Sequence, residues 1–373
     1  IPNGVPDYID EVAIIIDYVR DLMINEMMFL PEVDDLDGIY DIYVQNRSPF
    51  DYGKNLEDFD VPSASYIIID NGYENGFYFT TGLDAMRLTV AHEFFHAIQR
   101  AYRTPASGHV YFWEMSATWI EDIIVPDGND YIFWVNDFFE NPNNNIYSTD
   151  GYSIALFGHY LSNILNDGNV DIIREMWEEY SGGGTPILSI KNTISENYDS
   201  SFENAWTDFC SRNFFNGIYD DMNNDKYFHI DQKDVIALSS SILNNSLDTP
   251  QIINQNFITD DLELENSCSK HLVFGVNQLS TISLEHIISP PSSLLEGFIS
   301  IESAIGENLN QHLYIDNAGD VSIIYLGEGD IFYLSYSSNN TSTLDVHYDY
   351  LEDFSSQIEL GDANLDEQIN VID

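Results

Sequence analysis

Positive charge is what this chain most lacks. Lys and Arg number 12 in 373 residues against 63 Asp and Glu, a formal net charge of −51. Such a surface repels nucleic-acid backbones and anionic membranes, so neither is expected as a partner. Cysteine is equally scarce. Cys210 and Cys268 allow one intramolecular disulfide at most and no thiolate metal cluster. No run approaches the roughly 20 apolar residues of a membrane span. No basic segment leads into an apolar one in the manner of a signal peptide, and the first residue is Ile1, as expected of a trimmed or processed chain. What is present excludes a disordered acidic tail, because 44% of residues are hydrophobic and 14% aromatic. The length suggests two domains or three. Most carboxylates read as a solvated face suited to a salty or calcium-rich exterior.

Composition changes near residue 230. Before it, helical periodicity alternates with short strand-like runs. The pattern predicts helices over 10–28, 83–103, 112–124, 152–165, 170–180 and 202–215, with Asp10 as the cap of the first. Strands are expected at 40–44 and 65–70, the second closed by Asn71-Gly72 and continued by a partner at 77–80. After it, runs at 271–276, 281–286, 297–301, 321–326, 331–336 and 343–348 are separated by Asn, Ser, Gly and Pro, which predicts an all-β sandwich.

The chemistry centres on His92-Glu93-Phe94-Phe95-His96. Histidines at i and i+4 share a helix face, so both imidazoles reach one metal ion, and the intervening Glu can take a proton from a metal-polarised water. A catalytic zinc normally has three protein ligands. A metzincin would require Gly at 99 and His at 102, where this chain has Gln99 and Tyr102. Glu114, on the next predicted helix and 18 residues beyond His96, is the favoured third ligand, and Ala117 one turn on is small enough for the helices to approach. Glu121 is the rival ligand. Glu121 and Asp122 otherwise serve as partners that hold a ligand histidine from behind. Tyr152 and His159 are the candidate donors to a developing oxyanion, being seven residues apart on one predicted helix.

Thr89–Gln99 and Trp113–Asp122 resemble the MXAN family of secreted bacterial metalloproteases, in the gluzincin group of zinc peptidases. Asn3–Asp10 and Ser65–Asn71 are similar to the same family, and the likeness covers roughly residues 1–220. The resemblance implies His92, His96 and Glu114 as zinc ligands and Glu93 as general base. It implies a zincin-like catalytic domain over 1–230, and with the strand pattern beyond it the expected fold is α+β, the catalytic domain preceding a β-sandwich accessory domain over 231–355. Ser65–Asp70 would then offer the strand edge on which an extended peptide adds, the alternative being an ordinary central strand.

The last residues form a tail over 356–373. Within it, Gly361–Asp373 resembles half of a dockerin-like calcium repeat, with Asp362, Asn364, Asp366, Asn370 and Asp373 at loop positions 1, 3, 5, 9 and 12. Glu367 stands where the common loop has Gly. Ca2+ is therefore expected as a second ion beside Zn2+.

These features predict a secreted or cell-surface zinc endopeptidase acting on protein or peptide substrates, with the β domain as an extracellular attachment or assembly module. The competing expectation is a catalytically silent zincin-fold adhesin or structural protein that binds calcium. A weaker one is a hydrolase of non-peptide amides or esters.

Overall fold

The computed structural model describes residues 3–47, 51–74, 78–140, 146–213, 216–217, 222 and 227–235, and the backbone of strands between 251 and 351. The fold mixes helices with sheets, of α+β type. The chain divides into two compact units. One draws on Ile1–Phe138, Ile146–Phe202 and Phe228–Asp231, the other on Phe139–Asn145, Glu203–Tyr227 and Gln232–Asp373. The composition changes near 230, whereas the compact units change at Phe202 and the first takes Phe228–Asp231 back.

In the first unit α1 (Asp7–Asp21) buries Val12, Ile15 and Val19 on one stripe. It begins directly after Pro6, whose fixed φ suits the entry of a helix. Asp10 therefore lies inside the first turn, not at the cap, and its carboxylate accepts from Asn3 Nδ2 at 2.9 and 3.1 Å. The helix continues past Asp21 as a π turn, Leu22–Glu26, and stops two residues short of the expected end at Met28, which lies beyond it with φ 63°.

A three-stranded sheet follows, of β1 (Ile42–Gln45), β2 (Gly53–Glu57) and β3 (Ser65–Asp70), in the order β1-β3-β2. β3 is parallel to β1 and antiparallel to β2. Its buried face is set by Ser65, Ile67 and Ile69, two apart as a strand requires. Two expectations are corrected here. β3 is the central strand, not an edge. Its antiparallel partner is β2, not residues 77–80, of which 78–80 form a bend. Gly53-Lys54-Asn55-Leu56-Glu57 has one apolar residue and no alternation, so β2 carried no strand signal; pairing with β3 creates it.

The long helix α2 (Gly82–Tyr102) packs on α1, on β2 and β3, on α3 (Val110–Ile124) and on α6 (Asp171–Ser181). Contact on so many sides leaves Phe94, Phe95 and Ile98 with no exposed surface. After α3 come α4 (Tyr131–Glu140) and a short 3-10 turn, Tyr152–Ile154, leading into α5 (Ala155–Tyr160), which ends in a π turn, Leu161–Leu165. The sequence pattern predicts one helix over 152–165 and none at α4. α4 is aromatic and β-branched at Tyr131-Ile132-Phe133-Trp134-Val135, a strand-like composition, yet it buries Tyr131, Val135 and Phe138 at i, i+4 and i+7. α7 (Pro186–Asn197), also unassigned from sequence, has Pro at its first position and buries Ile190, Thr193 and Ile194.

The second unit holds most of α8 (Phe202–Arg212) and two sheets. Its strands are β4 (Gln251–Ile253), β5 (Phe257–Ile258), β6 (Leu262–Leu264), β7 (Cys268–Val276), β8 (Ser280–Ser289), β9 (Leu295–Glu302), β10 (Leu309–Ile315), β11 (Val321–Leu326), β12 (Ile331–Ser338) and β13 (Ser342–Leu351). One sheet runs β10-β9-β12-β7-β4, the other β11-β8-β13-β5 with β6 also paired to β13. Pairing is antiparallel except for β4 with β7.

One glycine positions the site. Gly151 has φ 100°, and a Cβ there would stand 2.5 Å from the Tyr111 carbonyl oxygen and 2.7 Å from Glu114 Cβ. Gly151→Ala therefore combines backbone strain with a clash and should lower the melting temperature by roughly 4–10 °C. Gly168→Ala, with φ 85° and no neighbour within 4 Å, should cost less than half as much. Thermal unfolding of both variants followed by circular dichroism checks the difference.

Candidate metal centre

α2 places His92 and His96 one turn apart, their rings edge-on with centroids 4.7 Å apart. α3 brings Glu114 to them. Its Oε2 lies 3.2 Å from His92 Nε2 and 3.5 Å from His96 Nε2. The three donor atoms lie within 4.8 Å of one another. Donors held at about 2.0–2.1 Å around a tetrahedral ion stand roughly 3.3–3.4 Å apart, so the observed spacing fits one small ion.

The other nitrogen of each ring is committed. His92 Nδ1 lies 2.5 Å from Glu121 Oε1, and a carboxylate only accepts. His96 Nδ1 lies 2.7 Å from Gln99 Oε1. The Gln99 amide cannot be turned round, because its Nε2 already donates to the Trp113 carbonyl at 2.9 Å and to Ser116 Oγ at 3.1 Å. Both Nδ1 atoms thus carry hydrogen, and both Nε2 lone pairs face Glu114. Glu114 Oε2 is itself buried without a hydrogen-bond partner.

Three lone-pair donors turned toward one another need a cation between them. A proton supplies one in the metal-free protein. Burial alone would lower the His92 pKa, but the Glu114 and Glu121 carboxylates on either side outweigh it and hold the ring well above its ordinary value. Burial would raise Glu114, yet His96 and His92 pull it below the usual carboxylate range. Glu121 goes the other way: burial pushes it up to about 7 against the pull of His92.

A cleft of about 790 Å³ opens on this group, lined by Glu93, Tyr152 and residues 51–56 of the β2 segment. β2 comes very near α2. A Cβ on Gly53 would stand 2.5 Å from Thr89 Cγ2 and 3.1 Å from Glu93 Cγ. Asn55 fastens the strand there, donating to the Glu93 carbonyl at 3.1 Å and accepting from Arg100 Nε at 2.8 Å. The Tyr152 ring stacks on His92, 5.7 Å between centroids and 1° from parallel. Burial and the Glu114 carboxylate raise its pKa, so the phenol stays protonated.

The structure therefore gathers His92, Glu93, His96, Glu114 and Tyr152 in one cleft. Glu121 sits behind His92 on the Nδ1 side, where it orients the ring and does not share its Nε2 face. Two expected residues are elsewhere. His159 is 1% exposed and faces Asp122, with Nε2 3.7 Å from Asp122 Oδ2. Burial and neighbouring His229 hold its pKa well below the ordinary value. The seven-residue spacing to Tyr152 does not keep the two on one face, because 152–154 is a 3-10 turn that rotates the chain by about 120° per residue. Asp122 belongs with His159 and His229, not behind a cleft histidine. Gln99 was missed as a positioning residue, although its i+3 relation to His96 was a usable signal. Asn55 and His229 had none, lying far from the motif in sequence. The expected calcium residues Asp362, Asn364, Asp366, Asn370 and Asp373 fall outside the described residues.

Comparison with known proteins adds little about chemistry. A family model described as a family of unknown function (DUF6055) matches residues 80–251, which include both site helices. No curated protein matches the chain. A solved structure titled as a novel family GH115 4-O-methyl-α-glucuronidase with specificity for decorated arabinogalactans aligns at 9% identity and a TM-score of 0.15. The alignment covers 70% of this chain and 41% of that one, so the chain spans less than half the length of that structure. No helix among the described residues is long and apolar enough to cross a membrane.

Two outcomes follow from the donor geometry. A metal must displace the proton that Glu114 and Glu121 hold on His92, so affinity should rise by about tenfold per pH unit until the pH exceeds the raised His92 pKa, then level off. Competition against a chromophoric chelator measures this, and a pH-independent affinity would contradict it. Gln99→Leu removes the acceptor for His96 Nδ1–H and should weaken metal binding roughly 10–100-fold with the helix content unchanged.

Proposed function

We propose that the chain is a zinc-dependent peptidase. The observation that carries this reading is the orientation of His92, His96 and Glu114. Two imidazole nitrogens and one carboxylate oxygen, each with an uncommitted lone pair, converge beside a glutamate in an open cleft. That donor set and spacing suit zinc with a fourth position left for water. The resemblance of the two site segments to MXAN metalloproteases supports the same reading. So does a zincin-like interpretation of β3, α2 and α3, with the two β sheets of the second unit as a sandwich-type accessory domain.

Bound zinc would polarise the attacking water and the substrate carbonyl. Glu93 follows His92 directly in α2 and lines the same cleft, so its carboxylate takes the water proton and later delivers it to the leaving amine. Tyr152, kept protonated by burial beside Glu114, donates to the oxygen that gains charge as water adds. The edge strand for substrate is β2, which lines the cleft and is fastened to α2 through Asn55. An extended peptide adds there by backbone hydrogen bonds. Phe79, Phe133 and Trp134 also line the cleft, at 61, 44 and 37% exposure. They favour an apolar or aromatic substrate side chain. The secreted or extracellular setting belongs to the same proposal, resting on the acidity and the resemblance.

The test is proteolysis of a complex peptide mixture, read as new N termini by mass spectrometry. The zinc-loaded chain should cleave beside apolar residues. Glu93→Gln should lose about 10²–10⁴-fold in rate while retaining its metal. Equal cleavage by Glu93→Gln, or none by the zinc-loaded wild type across the mixture, would remove the peptidase reading.

A further inference from the structure

A second group of buried donors stands apart from the cleft. Asp122 on α3, His159 on α5 and His229 in the segment that returns to the first unit each bring one donor atom within 4.8 Å of the others. None of them lines the cleft. Their exposures are 6, 1 and 5%, so bulk water does not solvate them. Asp122 Oδ2 lies 3.3 Å from His229 Nε2 and 3.7 Å from His159 Nε2, and the two imidazole centroids are 4.0 Å apart.

As a purely hydrogen-bonded cluster this arrangement is incomplete. At 3.7 Å, His159 Nε2 is beyond hydrogen-bond reach of the carboxylate. Both His159 Nε2 and Asp122 Oδ1 are buried with no hydrogen-bond partner. Buried polar atoms are nearly always satisfied, so two orphans within one cluster need a cause. An ion among the three side chains supplies partners for both.

His229 is prepared from its far side. Its Nδ1 lies 2.9 Å from the Tyr131 hydroxyl, which donates to Asp231 Oδ2 at 3.1 Å. Asn129 Nδ2 donates to the other oxygen of Asp231 at 3.2 Å. With the tyrosine hydrogen given to Asp231, its oxygen accepts Nδ1–H and the His229 Nε2 lone pair faces Asp122. This histidine–tyrosine–carboxylate relay orients a ligand histidine. The competing tautomer takes the Asp231 backbone N–H on Nδ1 at 3.2 Å and donates Nε2–H to Asp122. It satisfies His229 but leaves both orphans as they were.

We propose that Asp122, His159 and His229 form a second divalent-metal site, of the zinc class and structural in role. Two imidazoles and a carboxylate suit zinc and similar transition ions, whereas calcium prefers six to eight oxygens. The second oxygen of Asp122 is an unused donor for the same ion. Burial leaves no route for a substrate. The site ties the segment carrying His229 to two helices from far earlier in the chain, and metal binding there stabilises the fold.

Cobalt titration of the full chain, stripped of metal and challenged with a competing chelator, separates the two centres. Tetrahedral Co2+ absorbs strongly, whereas ions on the carboxylate surface are octahedral, weakly held and weakly absorbing. Wild type should take two tight equivalents, His96→Ala one, His229→Gln one, and the double variant none. His96→Ala leaves the second cluster untouched, so one tight tetrahedral equivalent in that variant supports the proposal even where His229→Gln fails to fold. A folded His96→Ala variant that holds no tight Co2+ overturns it. The two readings fail separately: if only the cleft centre is wrong, wild type and His96→Ala each take one equivalent, lost in His229→Gln.

Discussion

A single carboxylate oxygen, Glu114 Oε2, organises the first unit. It is buried, accepts no ordinary hydrogen bond, and faces two imidazole nitrogens at 3.2 and 3.5 Å. An uncompensated charge there would cost several kcal/mol, as removal of one partner from a buried pair does. The surroundings are arranged so that the compensating charge falls at one point. Glu121 and Gln99 fix the two rings from behind, and Ser116 and the Trp113 carbonyl fix Gln99. Trp177 Nε1 in turn donates to Ser116 Oγ at 3.1 Å, which brings α6 into the same chain of support. The polar core of α2 and α3 thus holds two hydrogen-bonded arms, Glu121–His92 and Trp177–Ser116–Gln99–His96, and both point their imidazoles at the Glu114 oxygen.

The net charge of −51 bears on this in an unexpected way. Carboxylates are abundant, yet those at the centre are few and each has a distinct environment. Glu114 is lowered by two histidines, Glu121 is raised by burial, and Asp122 turns away to other partners. The surface charge says little about the site. What separates a carboxylate of these donor groups from a solvated one here is the helix face it occupies and the depth at which that face lies.

The sequence carried the site better than the fold around it. His92, Glu93, His96 and Glu114 are legible because their spacing is local to two helices whose periodicity is strong. β3 is legible for the same reason, as an alternating apolar run between turn signals. β2 is not, because Gly53 and Asn55 are there to meet α2 and not to satisfy a strand propensity. α4 is not, because its composition favours strand while its burial requires helix. The misplacement of His159 arose from treating 152–165 as one helix. The chain changes winding twice in that span, and each change rotates the residues beyond it. His229 is invisible to any local pattern, since only tertiary structure carries it to Asp122.

α3 holds Glu114 toward the cleft histidines, Glu121 behind His92 and Asp122 toward His159 and His229. These three positions occupy two turns of one rigid rod. An inserted or deleted residue between 114 and 122 would swing one end by about 100° relative to the other. The helix is therefore a ruler that sets the angle and distance between the two groups of donors. Either group of donors can drift by substitution alone, while the distance between them stays fixed for as long as both are kept.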